Sequence, residues 1–168
     1  AYVHLRPSMF MQSILTLAEP SLRKDGELRL PLGEAWIHAV DVRDVADVAA
    51  AALLEGEETS GPRLLVGRSS PPHAIAADIG TRLGRPVRYV AVGDDAAAAE
   101  WRSHGVDTAM VAMLGSVFAA LRDGLPPLAD ELERWLGRPA RTWSDAAGEL
   151  QSGTTAWRDA NLEGTLRA

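Results

Sequence analysis

Short apolar runs alternate with helical patterns in the first half of the chain, whereas the second half is patterned almost entirely as helix. Strands are predicted where apolar positions are continuous or alternate with polar ones, at residues 2–5, 27–30, 35–40, 63–66 and 86–90. Helices are predicted where apolar positions recur every three or four residues, at residues 9–17, 42–55, 71–83, 94–104, 107–122, 127–137 and 143–150. This order indicates an α/β or α+β domain with few strands.

Polar residues and prolines mark the predicted helix ends. Asp41 is expected to cap the helix that follows it, because a carboxylate oxygen can accept a free backbone N–H of the first turn. Ser69 or Ser70 is expected to do the same for the helix that begins near Pro71. Pro20 is expected to end the first helix, since proline lacks the N–H that helical bonding requires.

Composition and charge exclude several classes of function. The 168 residues carry a net charge of −6 and have no basic stripe, which argues against nucleic acid or an anionic membrane as a partner. There is no cysteine, and the four histidines are too scattered to form a metal site. No stretch is apolar enough to span a bilayer. We therefore expect a cytoplasmic protein that acts on a small molecule without a metal.

Four segments stand in an order and spacing that resemble a known family. They are LRPSMFMQS at residues 5–13, WIHAVDVRDVA at 36–46, LLVG at 64–67 with LGRPVRYV at 83–90, and LGRPARTW at 136–143. Together they resemble the second half of the NmrA-like branch of short-chain dehydrogenases/reductases. The resemblance covers about residues 1–150.

This resemblance implies an α/β fold, the remnant of a Rossmann-like NmrA-type sheet with few, partly parallel strands and a helix-rich C-terminal substrate subdomain. Residues 1–150 would form the substrate-side domain, and residues 151–168 an appendage that is disordered or contacts a partner. The parent family binds NADPH or NADH through a glycine-rich turn between strand and helix. No glycines here have that spacing, and no Tyr-x-x-x-Lys pair is present. We therefore expect no cofactor for the chain alone.

The resemblance also points to the site residues. In the family, a loop beside the nicotinamide shapes the substrate pocket. The corresponding residues here are Arg6, Pro7, Ser8, Met9 and Phe10, and Trp36 is a further candidate for substrate binding. His4 and His38 are candidates for proton transfer because histidine titrates near neutral pH. Asp41 is a third catalytic candidate, considered together with Asp44, although helix capping and complementarity to the helix dipole explain both residues more simply.

Three functions remain open from the sequence. The first is a truncated NmrA-like protein that provides the substrate pocket of an NAD(P)-dependent oxidoreductase. The second is a cofactor-free bacterial pathway enzyme, a cyclase or isomerase, that uses an apolar pocket and His or Asp proton transfer. The third is a non-catalytic regulatory or interaction module. In each case the edge of the strand at residues 2–5 predicts a homodimer or a partner that covers it.

Overall fold

The computed structural model describes residues 2–55, 61–124 and 132–152 as a mixed α/β fold. The strands are β1 (Val3–Pro7), β2 (Met9–Phe10), β3 (Glu27–Leu30), β4 (Ile37–Val40), β5 (Gly61–Leu65), β6 (Ser69–Ser70) and β7 (Arg88–Ala91). The helices are α1 (Met11–Asp25), α2 (Val42–Glu55), α3 (Pro72–Leu83), α4 (Asp94–Ser103), α5 (Thr108–Arg122), α6 (Leu132–Leu136) and α7 (Trp143–Ser152). The predicted appendage at 151–168 lies outside the described residues from 153 onward.

The described strands form three small sheets that are mostly parallel. β1 pairs with β5, β2 with β4, and β3 with β7, all in parallel. β6 pairs antiparallel with β4, which makes the order β2-β4-β6. Two paired parallel strands must be joined by a crossover connection. Helices α1, α2 and α3 lie within the connections between the paired strands. The predicted α/β class with few, partly parallel strands is confirmed.

Most of the buried apolar surface lies in one cluster, which we call the major core. It joins one face of α1 to β3, α3, α4, α5 and α7. Phe118 of α5 is fully buried and stacks on Trp101 of α4, with ring centroids 5.5 Å apart. Helix α1 packs on β3 and helix α3 packs on β7, and both helices also pack on α7. Continuous burial of this kind is the main source of folding free energy.

A second cluster, the minor cluster, is much smaller. Its buried members are Val40, Val48, Leu65 and Leu132, from β4, α2, β5 and α6. β1 packs at its margin through Leu5. Just after β5, the backbone at Gly67 approaches the backbone of β4 very closely. A Cβ placed on Gly67 would lie 1.9 Å from the carbonyl oxygen of Ala39. Only glycine allows so close an approach between the two chain segments.

Two predicted helix ends are wrong. Helix α1 continues through Pro20 and ends at Asp25, where Gly26 takes the left-handed conformation with φ of 68°. The buried face of α1 packs on the major core, and this packing outweighs the lost hydrogen bond. Ser69 and Ser70 do not cap α3, because both belong to strand β6 and the N-cap position is Pro71. Of the predicted helix at 127–137, the described part is 132–136.

Within the described residues, no helix combines the length and the apolar character needed to cross a membrane. The same ranges contain no group of three or more His, Asp or Glu side chains that could hold a metal ion.

Candidate functional site

The predicted pocket loop lies where β1 ends. Arg6 and Pro7 are the last residues of β1, and both are exposed. The backbone N–H of Ser8 donates to the carbonyl oxygen of Leu65 at 2.9 Å, which carries the pairing of β1 and β5 one step further. The Oγ of Ser8 is buried and has no hydrogen-bond partner among the described residues. The loop is therefore fixed through its backbone and leaves one hydroxyl unsatisfied.

The next turn of the chain exposes apolar side chains at the carboxyl ends of two parallel strands. Phe10 ends β2 in register with Val40 of β4, and it is 36% exposed. Val42, which begins α2, is 42% exposed, and its backbone N–H donates to Oε1 of Gln12 at 3.1 Å. This edge of a parallel sheet is where α/β proteins bind their ligands. We call the surface formed by Phe10, Gln12 and Val42 the Phe10 face.

Asp41 acts as a helix cap. Its side chain is fully buried, and its Oδ1 accepts the backbone N–H of Arg43 at 2.8 Å, so the predicted capping is confirmed. The guanidinium of Arg43 donates to both carboxylate oxygens, at 2.9 and 2.6 Å. Burial alone would raise the pKa of Asp41, but these hydrogen bonds outweigh it and lower the pKa. A carboxylate held ionised in this way is poorly suited to take up a proton.

The other predicted side chains lie apart from one another. His4 is exposed on β1, and its ring lies 4.8 Å from that of Tyr2. His38 is half-buried on β4, where its backbone is paired with Ser69. Trp36 precedes β4 and is 56% exposed. Among the described residues, no hydrogen bond or ion pair joins His4 or His38 to Asp41.

Two arginines fasten the segment before α7 to helix α2. The buried carboxylate of Asp44 accepts from Nη2 of Arg138 at 2.7 Å, from the backbone N–H of Arg141 at 2.8 Å and from the Arg141 guanidinium. Asp47 pairs with the same two guanidinium groups, which lower its pKa. We call these four residues the Asp44 clamp. Sequence reasoning considered Asp44 either as a catalytic carboxylate or as a complement to the helix dipole, and it did not predict these ion pairs.

The clamp holds one wall of a cleft that lies between α3 and the segment leading into α7. This cleft has a volume of about 140 Å³. We call it the α3–α7 cleft, and its lining residues are Met11, Arg68, Ser70, Asp78, Glu133, Pro139, Ala140, Arg141, Thr142 and Trp143. None of the predicted site residues lines it, and Met11 alone comes from the segment that follows the pocket loop. Sequence reasoning missed this cleft, because no spacing signal joins Arg68 and Asp78 to the LGRPARTW segment.

The charges of the α3–α7 cleft are only partly balanced within the protein. Arg141 is neutralised by the Asp44 clamp, and Glu133 accepts the backbone N–H of Ala140 at 3.2 Å. Arg68 and Asp78 have no ion-pair partner among the described residues, although Asp78 is half-buried. The indole Nε1 of Trp143 is buried and also lacks a partner there. The cleft therefore has groups of both charges without an ion-pair partner among the described residues, the exposed Arg68 and the half-buried Asp78.

The chain is similar in sequence to two curated reductases. No protein-family model matches the chain. It is 34% identical over 154 residues to an NAD(P)H azoreductase from Xenophilus azovorans, covering 88% of this chain and 52% of that protein. It is 32% identical, with the same coverage, to a (4-alkanoyl-5-oxo-2,5-dihydrofuran-3-yl)methyl phosphate reductase from Streptomyces griseus subsp. griseus. The chain thus spans about half the length of these curated relatives.

The fold comparison agrees with these relatives. An NADPH-dependent quinone oxidoreductase from Escherichia coli superimposes with a TM-score of 0.75 at 22% identity, over 89% of this chain and 55% of that one. The fold is therefore that of the Rossmann-like, NAD(P)-binding oxidoreductases. Within this class the chain is a relative of the NmrA-like reductases, and the resemblance drawn from the four motifs is confirmed.

Proposed function

We propose that this chain supplies the substrate-binding side of an NAD(P)H-dependent reductase and that dinucleotide binding resides outside these 168 residues. The observation that carries the proposal is the Phe10 face, an exposed apolar surface at the carboxyl ends of parallel strands β2 and β4. The relationship to two reductases of about twice this length supports it. So does the absence of a glycine-rich phosphate turn from the sequence.

The Phe10 face suits a planar, weakly polar substrate. Phe10 offers an aromatic ring, and offset stacking on such a ring orients a flat conjugated molecule. Gln12 is held from both sides, since its Oε1 accepts from Val42 and its Nε2 donates to Glu149 at 3.3 Å. In this proposal the hydride comes from the nicotinamide, and this chain binds and orients the acceptor. Proton transfer by His4 or His38 stays a prediction, tested by replacing each with glutamine.

Substrate binding without nucleotide tests this proposal. Methyl red, an azo dye, and menadione, a quinone, would be titrated into the full chain while tryptophan fluorescence is recorded. We expect saturable quenching that Phe10→Ala weakens about tenfold, because a buried aromatic contact of this size is lost. Met113→Ala, which removes an apolar side chain that is 50% exposed from α5, should leave the titration unchanged. The proposal would be refuted if neither methyl red nor menadione binds, or if Phe10→Ala binds them as tightly as the unchanged chain does.

The interaction-module function has its own supporting observation. Among the described strands β1 pairs with β5 alone, so its other edge has no described neighbour. Tyr2 at the start of β1 is 63% exposed, and Leu53 and Leu54 near the end of α2 are 85% and 87% exposed. Unpaired strand edges and exposed apolar side chains favour association. We propose that a second copy or a partner covers this surface, which light scattering at rising concentration would test. No observation on the described residues favours the cofactor-free cyclase or isomerase.

A further inference from the structure

We infer that the α3–α7 cleft binds a small zwitterion, a molecule that carries one carboxylate and one ammonium group. This inference goes beyond the proposed function, because the cleft contains none of the residues of the predicted pocket loop. It rests on three features of the cleft: its unpaired charges, its size and its apolar wall.

The unpaired charges define the chemistry of the ligand. Arg68 offers a guanidinium at the cleft, and a carboxylate is the group that this planar fork binds best. Asp78 offers a half-buried carboxylate that no described cation neutralises. Glu133, the other carboxylate of the lining, adds negative charge to the cleft. A simple anion would meet two carboxylates and a simple cation would meet Arg68, whereas a zwitterion satisfies both signs.

The volume of the α3–α7 cleft and its apolar wall limit the size and polarity of the ligand. A volume of about 140 Å³ is well below that of ordinary ligand pockets, and it suits a molecule of roughly six to eight non-hydrogen atoms. Met11, Ala140 and Trp143 give the cleft an apolar side. A short amino acid with a small apolar side chain has this size and this polarity.

The wall of the cleft is held in place before any ligand binds. The Asp44 clamp fixes the guanidinium of Arg141, so that this cation is already paired and does not compete with Arg68 for a carboxylate. The Oγ1 of Thr142 accepts the backbone N–H of Asp145 at 3.2 Å and thereby caps α7, which fixes the position of Trp143. Preorganisation of this kind lowers the entropy cost of binding.

Titration of the full chain by ¹H–¹⁵N NMR tests the inference. The probes are L-alanine and 4-aminobutanoate, which hold the two charges at different distances. Two matched probes each lack one charge: L-lactate has a hydroxyl in place of the ammonium group, and isopropylamine has a methyl in place of the carboxylate. The assigned resonances of the Trp143 indole N–H and of the Ser70 and Asp78 amides report on the cleft.

We expect at least one amino acid to shift these resonances saturably and both single-charge probes to bind about tenfold more weakly or worse. Arg68→Gln and Asp78→Asn should each weaken amino-acid binding by about tenfold. Arg102→Gln removes an exposed arginine from α4 and should change nothing. Absence of saturable shifts with both amino acids, equal binding of lactate or isopropylamine, or an equal loss in Arg102→Gln would each overturn the inference. Dye binding at the Phe10 face is measured separately and does not depend on these outcomes.

Discussion

The major core and the minor cluster differ in how they are held together. The major core consists of apolar side chains from seven helices and strands, and Phe118 within it is fully buried. The minor cluster has four fully buried apolar residues, and charged groups do much of the fastening through the Asp44 clamp and the guanidinium of Arg63, which lies 3.9 Å from the Trp135 ring centroid. The major core is thus stabilised mainly by apolar packing. The region of the minor cluster, with β1, β5 and α2, depends on electrostatic contacts and leaves apolar side chains uncovered.

The largest effect is expected where the apolar packing is densest. Phe118→Ala should lower the free energy of unfolding by about 3–5 kcal/mol, because it leaves a cavity beside Trp101. Urea unfolding followed by circular dichroism measures this loss. Met113→Ala on the same helix removes a side chain that is 50% exposed, and its cost should stay below about 0.5 kcal/mol. A similar cost for both variants would mean that α5 does not pack as described.

A smaller loss is expected from the clamp. Asp44→Asn keeps the shape of the side chain but removes the buried charge that pairs with Arg138 and Arg141. We expect a loss of about 2 kcal/mol, less than for a fully buried pair because both guanidinium groups keep Asp47 and contact with solvent. Hydrogen exchange should accelerate in α6 before it does in α5. Asp47→Asn, at a half-exposed carboxylate, is the control and should cost much less than Asp44→Asn.

The pH dependence of stability should come from carboxylates whose pKa values are lowered by hydrogen bonds in the folded chain. The pKa of Asp41 is lower in the folded chain than its ordinary value, so its contribution is complete above the unfolded pKa and is lost as the pH falls through the folded pKa. The free energy of unfolding should therefore decrease below about pH 4. Asp41→Asn should flatten this slope in part, since Glu27, Asp47 and Asp145 also have lowered pKa values. An unchanged slope would show that Arg43 does not stabilise the charge on Asp41.

The smallest effect on stability, and a large one on association, is expected at the uncovered surface. Leu53→Ser together with Leu54→Ser should change the free energy of unfolding by less than about 0.5 kcal/mol, because both side chains are almost fully exposed. Light scattering should show weaker association than in the unchanged chain. Met113→Ser on α5 is the matched control. A chain that is monomeric at all concentrations, with or without these changes, would contradict the proposed interface.

The sequence predicted the elements whose signals are local. The alternating pattern at 27–30 and the capping carboxylate of Asp41 are both features of neighbouring residues, and the structure contains β3 and the cap where they were expected. The prediction that the first helix ends at Pro20 was wrong, because α1 is stabilised by packing against major-core residues that are distant in sequence. The clamp could not be predicted, since its ion pairs join residues 94 and 97 positions apart. The α3–α7 cleft escaped prediction for the same reason, whereas the pocket loop was proposed from family resemblance alone.

The central claim is that this chain contributes substrate binding and not dinucleotide binding, and titration with NADPH tests it most directly. Isothermal calorimetry of the full chain should show no saturable heat with NADPH, while menadione binds in a manner that depends on Phe10. Tight binding of NADPH with a stoichiometry of one per chain would contradict the claim, because these residues would then hold the phosphates without a glycine-rich turn.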